Sequence, residues 1–261
     1  MSTVNKNLNV CFNGCSFTVG EGFPEQLRDD YIYDRLLTKK FNFNSTNIAQ
    51  PGSGNHVIFM RTVQALKEKK YDIVFVQWSG LNRLWLSPGP EVWYVAMINK
   101  SITEFRYRDI YLGKKDKLKF EETVALLNHN YQNIFDLITY CDILSNLAII
   151  NSTKIVFING LVPWQNDLTK PFDINNPGAS LSDYTKNMLE FDDRNDEEII
   201  LFFSKLRQKF TELDKSLWVN LFDSFYENRI DVGPEGHHPG IKSHQWMAEQ
   251  ITNYINTKNF L

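Results

Sequence analysis

The sequence predicts an α/β domain with a parallel sheet covered by helices on both faces. Three observations carry this reading. Short apolar runs recur along the chain, and each is followed by a loop and then by a helical pattern. The inner runs are apolar throughout rather than alternating, as strands buried on both faces require. Strands alternating with helices imply right-handed crossovers and strands that run the same way.

The elements follow in order. The first run, residues 8–13, leads into the turn Asn13-Gly14-Cys15-Ser16, and a helical stretch is expected near 25–39. The second, 45–49, passes through Pro51-Gly52-Ser53-Gly54 into a helix over about 55–69. There Val57, Ile58, Met60, Val63 and Leu66 recur close to the helical period. The third run is 72–78, DIVFVQW, and the fourth is 154–159, KIVFIN, with a long helical pattern over about 121–151 between them. A weaker strand is expected over 218–222, and Pro239-Gly240 opens a last helix over about 241–256.

At 261 residues the chain is long enough for one large core, and no repeat or linker divides it. A single domain over 1–261 is therefore expected, with insertions at about 84–120 and 162–197. Both insertions follow strands directly, which puts them at the carboxyl edge of the sheet, where open α/β folds bind ligands.

Composition narrows the function classes. A formal charge of −3 offers no basic footprint for nucleic acid or an anionic membrane. The three cysteines, Cys11, Cys15 and Cys141, form neither a metal-ligand spacing nor a disulfide framework, which suits a reducing compartment. His56, His129 and His244 likewise show no paired ligand spacing, so no metal is expected. With no signal-like N-terminus and no apolar run of membrane length, a cytoplasmic protein is expected. Composition does not fix an oligomeric state. The turns lack G-x-G-x-x-G and G-x-x-x-x-G-K-[ST], which disfavours nucleotide binding.

The strand ends hold a serine in a glycine-flanked turn, a second glycine-rich turn, an asparagine and an acid-plus-histidine pair. Acyl transfer needs these types. A serine hydroxyl attacks only when an imidazole takes its proton. That imidazole needs a carboxylate or carbonyl to hold its tautomer. The oxyanion needs preorganised donors, which a close glycine N–H and an asparagine side chain can supply. Residue types alone leave alternatives open. Cys15 competes with Ser16 as nucleophile, Ser16 could be only a cap, Gly54 competes with Gly52, and His237 with His238.

In four blocks the chain resembles the SGNH (GDSL) hydrolases. NGCSFTVGEG is similar to the first block, with Cys15 where the common motif has Asp; NIAQPGSGN is similar to the second, WSGLN to the third and EGHHPG to the fourth. The resemblance implies a flavodoxin-like three-layer α/β/α sandwich with a mostly parallel sheet. It implies Ser16 as nucleophile, His238 as base and Glu235 as the acid orienting it, with Asp231 or a backbone carbonyl as substitutes. The implied oxyanion donors are the Ser16 and Gly52 N–H groups and the Asn82 side chain. No cofactor is implied. The implied reaction is hydrolysis of a small-molecule or carbohydrate ester, an O-acetyl group among the candidates. The rivals are a thioesterase or lipase of the same fold, or a non-catalytic module binding a glycan or partner. Trp85, Trp93, Tyr94 and Trp164 in the insertions are candidates for lining a substrate cleft.

Overall fold

The structure, a computed structural model, describes residues 7–80, 83–89, 92–97, 130–161, 197–258 and 260. The chain forms two compact units. The first comprises Met1–Gly80, Ile143–Pro163 and Lys215–Leu261, and the second comprises Leu81–Asp142 and Trp164–Asp214.

The first unit is built on a four-stranded parallel sheet. Its strands are β1 (Asn9–Asn13), β2 (Asn44–Asn47), β3 (Ile73–Trp78) and a fourth, β6 (Lys154–Asn159), in the spatial order β2-β1-β3-β6. The chain therefore reverses its winding direction between β1 and β3, and a flavodoxin-like order places its ligand crevice outside that switch. Alternate residues of each strand serve opposite layers. Val10, Phe12, Ile73 and Phe75 pack with Tyr33 and Leu37 of α3 (Tyr33–Phe41) and with Met247 and Ile251 of α7 (Ile241–Thr257). The Phe12 and Phe75 rings stack at 5.0 Å in this layer. On the other face Asn13 Nδ2 donates to Ile58 O and to Thr62 Oγ1, both at 2.8 Å, on α4 (Asn55–Glu68). The edge strand β2, NSTN, is only partly buried and carries the polar residues expected where one side faces water.

Two expectations change here. The helical stretch near 25–39 is broken into α2 (Glu25–Tyr31) and α3 by an extended Ile32, with φ −75° and ψ 146°. Ile32 is buried and packs against Gly20, where a Cβ would stand 2.2 Å from Ile32 Cγ2. Burial of this one side chain outweighs helical continuity. The strand expected over 218–222 is reduced to an isolated parallel bridge between Phe157 and Trp218. Asn159 Nδ2 reaches the carbonyls of Asn220, Leu221 and Asp223, so a side chain takes acceptors that a fifth strand would have offered to β6.

In the second unit β4 (Arg83–Gly89) and β5 (Val92–Met97) form an antiparallel hairpin with an irregularity between Leu86 and Gly89. The helix α5 (Asn130–Ile150) bridges the sequence between the units, and α6 (Glu197–Glu212) belongs to the second. Within α5, the window Asn133–Ile150 is long and apolar enough by composition to cross a membrane, at a mean hydropathy of 1.3.

Candidate active site

The carboxyl end of β1 turns on a residue that can only be small. A Cβ on Gly14 would lie 2.2 Å from Thr18 Oγ1 and 3.0 Å from Gln77 Cβ. Asn13 Oδ1 accepts the Gly14 N–H at 2.8 Å and so closes the turn on itself. Cys15 then caps the short helix α1 (Ser16–Val19), its carbonyl accepting from Thr18 N and Val19 N at 3.0 and 3.2 Å. Its thiol points inward, 3.9 Å from Gln77 Oε1, and is fully buried. Ser16 is the first residue of α1, 2% exposed.

Beneath this turn lies a polar network. Thr18 Oγ1 donates to Gln77 Oε1 at 2.6 Å and lies 2.9 Å from Tyr33 Oη. With the threonine proton spent on Gln77, the phenol is left to donate to Thr18. Burial, which pushes the Tyr33 phenol far above its ordinary range, keeps that proton in place. The other end of Tyr33 contacts His244. Tyr33 N donates to His244 Nδ1 at 3.3 Å, and Tyr33, Phe225 and Phe23 enclose the imidazole. Burial drives this histidine down to about 3, so it is neutral.

The glycine-rich loop after β2 lies along the same turn. Ile48 N donates to Phe12 O at 2.8 Å and Gln50 N to Gly14 O at 3.3 Å. Asn47 Nδ2 bonds Thr18 O and Asp34 Oδ2, both at 2.9 Å. Asp34 is fully buried, and this desolvation raises its carboxyl to about 6 against the Asn47 hydrogen bond. Gly52 adopts φ +76°, a left-handed conformation that favours glycine. Among the described residues neither the Ser16 nor the Gly52 N–H has a hydrogen-bond partner, so both are available to an anion. Gly54 caps α4, and Asn55 Oδ1 accepts the Ser79 N–H at 2.7 Å, fixing the end of β3 to α4.

The histidine comes from a hairpin before α7. Val232 pairs with Pro239, Gly233 N donates to His238 O at 2.7 Å and Gly240 N to Asp231 O at 3.0 Å. Glu235 Oε1 accepts the His238 backbone N–H at 3.0 Å and lies 2.7 Å from its Nδ1. Partial burial pushes this carboxyl up, but the two His238 contacts outweigh it and hold the group below its usual range. Asp231 is committed elsewhere. Its carboxylate accepts from Lys242 N, Ser243 N and Ser243 Oγ at 2.7–3.0 Å and so caps α7. His237 is exposed.

The His238 ring meets Phe17, the neighbour of Ser16, edge-on at 5.7 Å. Its Nε2 faces Glu21 Oε2 at 3.6 Å, and among the described residues no hydrogen bond joins it to Ser16 Oγ. Two contributors escaped the sequence reading. Glu21 was visible only as the acid between Gly20 and Gly22, with no motif to single it out. Tyr226, which stacks on Phe17 at 6.1 Å, gave no signal in its loop.

Of the other sequence-derived candidates, Trp85 lies in β4 and Trp93 and Tyr94 in β5, all in the second unit. Asn82 and Trp164 lie outside the described residues. Among the described residues no three His, Cys, Asp or Glu side chains gather as a metal-binding group.

No family model and no curated protein matches the chain. Solved structures similar to it include TesA, at 14% identity and TM-score 0.46, covering 97% of this chain and 99% of that one. The psychrotrophic esterase EstA from Pseudoalteromonas sp. is similar at 10% identity and TM-score 0.48, covering 97% and 98%. A catalytic mutant of Axe2, an acetylxylan esterase from Geobacillus stearothermophilus, is similar at 12% identity and TM-score 0.48, covering 97% and 96%.

Proposed function

We propose that the chain is a serine esterase of the SGNH type that works through an acyl-enzyme. The observation that carries this is the 2.7 Å contact between Glu235 Oε1 and His238 Nδ1, on a ring packed against the residue beside Ser16. A carboxylate at Nδ1 fixes the proton there and leaves Nε2 as the base. His238 Nε2 takes the Ser16 proton as Oγ attacks the ester carbonyl. The Ser16 and Gly52 N–H groups receive the oxyanion, and Asn82 joins them on its sequence position. The alcohol departs with the proton from Nε2. Water then gives a proton to the same nitrogen, attacks the acyl carbonyl and releases the acid, restoring Ser16.

The contact from Nε2 to Ser16 forms when substrate enters, as catalytic hydrogen bonds that are loose in a resting site commonly tighten in the complex. Short acyl groups, an O-acetyl group on a carbohydrate among them, are the preferred substrates, because aromatic and polar insertions follow the site strands in sequence. The three cysteines are buried and none forms a disulfide, which favours a reducing, cytoplasmic setting. Hydrolysis of p-nitrophenyl acetate tests the reading. Ser16→Ala is expected to lower kcat by about 10³-fold or more. Undiminished turnover in that variant, or none in the wild type on short-chain esters, overturns it.

A further inference from the structure

Near the candidate site lies a half-buried cation, Arg229, on a loop that the fold holds tightly. The loop is pinned to the carboxyl end of β6, where Phe225 N donates to Asn159 O and Tyr226 N to Gly160 O, both at 2.9 Å. Buried Ser224 closes the turn. Its Oγ accepts the Glu227 N–H at 3.1 Å and its carbonyl the Asn228 N–H at 3.2 Å. From that turn the Arg229 side chain folds back, its guanidinium 3.7 Å from the centre of the Tyr226 ring and Nη1 donating to Tyr226 O at 2.8 Å. Among the described residues Nε and Nη2 have no hydrogen-bond partner, and no carboxylate forms an ion pair with the group. Tyr226 in turn stacks on Phe17 at 6.1 Å, and Phe17 meets the His238 ring at 5.7 Å. A single ring thus links the base to the ring that carries the guanidinium.

We propose that Arg229 reads a carboxylate on the alcohol half of the ester, so that the preferred substrates are esters of hydroxy acids, acidic sugars included. This rests on the esterase reading above. His238 Nε2 must meet the leaving oxygen to give it a proton, so the first atoms of the alcohol lie against the imidazole. The row of rings from His238 through Phe17 and Tyr226 leads from there to Arg229. The open Nε–Nη2 edge of a guanidinium is a two-pronged donor that matches the two oxygens of a carboxylate. Stacking on Tyr226 and the bond to its carbonyl already fix the plane of that donor, so little side-chain freedom is lost when the anion arrives. A lysine would supply the charge without the paired donors.

The test measures kcat/KM for ω-acetoxy carboxylates of graded chain length and for the matching carboxamides, which differ in charge but scarcely in shape, with p-nitrophenyl acetate as the activity control. In the wild type the carboxylate is expected to be favoured roughly fivefold at the length that reaches Arg229, and by less at high salt. Arg229→Gln should erase the preference, and Arg229→Lys should keep part of it. A preference that survives Arg229→Gln, whatever happens to the absolute rates, would make the arginine only a brace for Tyr226, and it overturns the proposal. Carboxylates no faster than carboxamides at every length in the wild type overturn it as well, as does turnover of neither series beside turnover of p-nitrophenyl acetate. Failure of the esterase reading looks different and takes both readings with it, because p-nitrophenyl acetate itself is then not cleaved through Ser16.

Discussion

The turn that carries Ser16 and the hairpin that carries His238 are held by different means. Ser16 rests on a buried bed, with Thr18, Gln77, Tyr33 and Asn47 bonded beneath it and a glycine where nothing larger fits. His238 stands on a mostly exposed hairpin fixed by its own backbone bonds and by two carboxylates, Glu235 at the imidazole and Asp231 at the start of α7. On the proposed esterase reading, the nucleophile is therefore placed by the core and the base by local contacts. A rigid first partner and an adjustable second one suit a site whose proton-transfer contact closes around substrate.

Four changes would break or sharpen this contrast. The largest effect is expected at the carboxylate on the imidazole. On the proposed reading Glu235→Ala should lower kcat by about 10²-fold or more while lowering the melting temperature only slightly, since its bonds to His238 are local to an exposed hairpin. In the bed, Gly14→Ala should do the reverse and cost about 3 kcal/mol of stability by urea titration, because the added methyl meets a bonded Thr18.

The third change is read through pH. Asp34 titrates near 6 in the folded state against 3.8 when unfolded, so the stability it lends is complete below 3.8 and is lost as pH rises through 6. That loss is on the order of 3 kcal/mol. His244 has the opposite sign. Its folded value of about 3 lies below 6.5, so its contribution is present above 6.5 and is lost as pH falls through 3. The two slopes oppose one another between pH 4 and 6. Thermal unfolding of Asp34→Asn across that range should remove the opposing slope and leave stability rising more steeply with pH than in the wild type. The smallest effect is expected at Gly236, where φ is +80° but nothing stands within 4 Å of a Cβ. Gly236→Ala should cost only about 1 kcal/mol.

The sheet was legible because β3 and β6 are buried on both faces and so read as unbroken apolar runs. The missing fifth strand was not legible, because the decision lies with the Asn159 side chain, far from 218–222 in sequence. The broken helix depended in the same way on Ile32 finding room over Gly20. In the site, residue types left Cys15, Gly54 and His237 in competition, and the resemblance to four motif blocks pointed to Ser16, Gly52, Asn82, Glu235 and His238. Glu235 was the preferred acid, with Asp231 as a substitute, since both acids precede the histidine closely. Only the capping bonds of Asp231 to α7 separate them. Glu21, Asp34 and His244 gave no signal, because each owes its character to what the fold packs around it.

The glycine at position 22 has one more consequence. A Cβ there would stand 2.2 Å from both carboxylate oxygens of Glu235. The acid at 235 is one methylene longer than the aspartate of the motif it resembles, and the bare backbone at 22 is where that extra length is taken up. Positions 22 and 235 are therefore a single unit of variation, although nearly the whole chain separates them. Gly22 is also held at φ +95°, so a side chain there would meet a backbone cost as well as the acid at 235, and a shorter acid would relieve only the second. Anyone redesigning this protein would have to treat the two together.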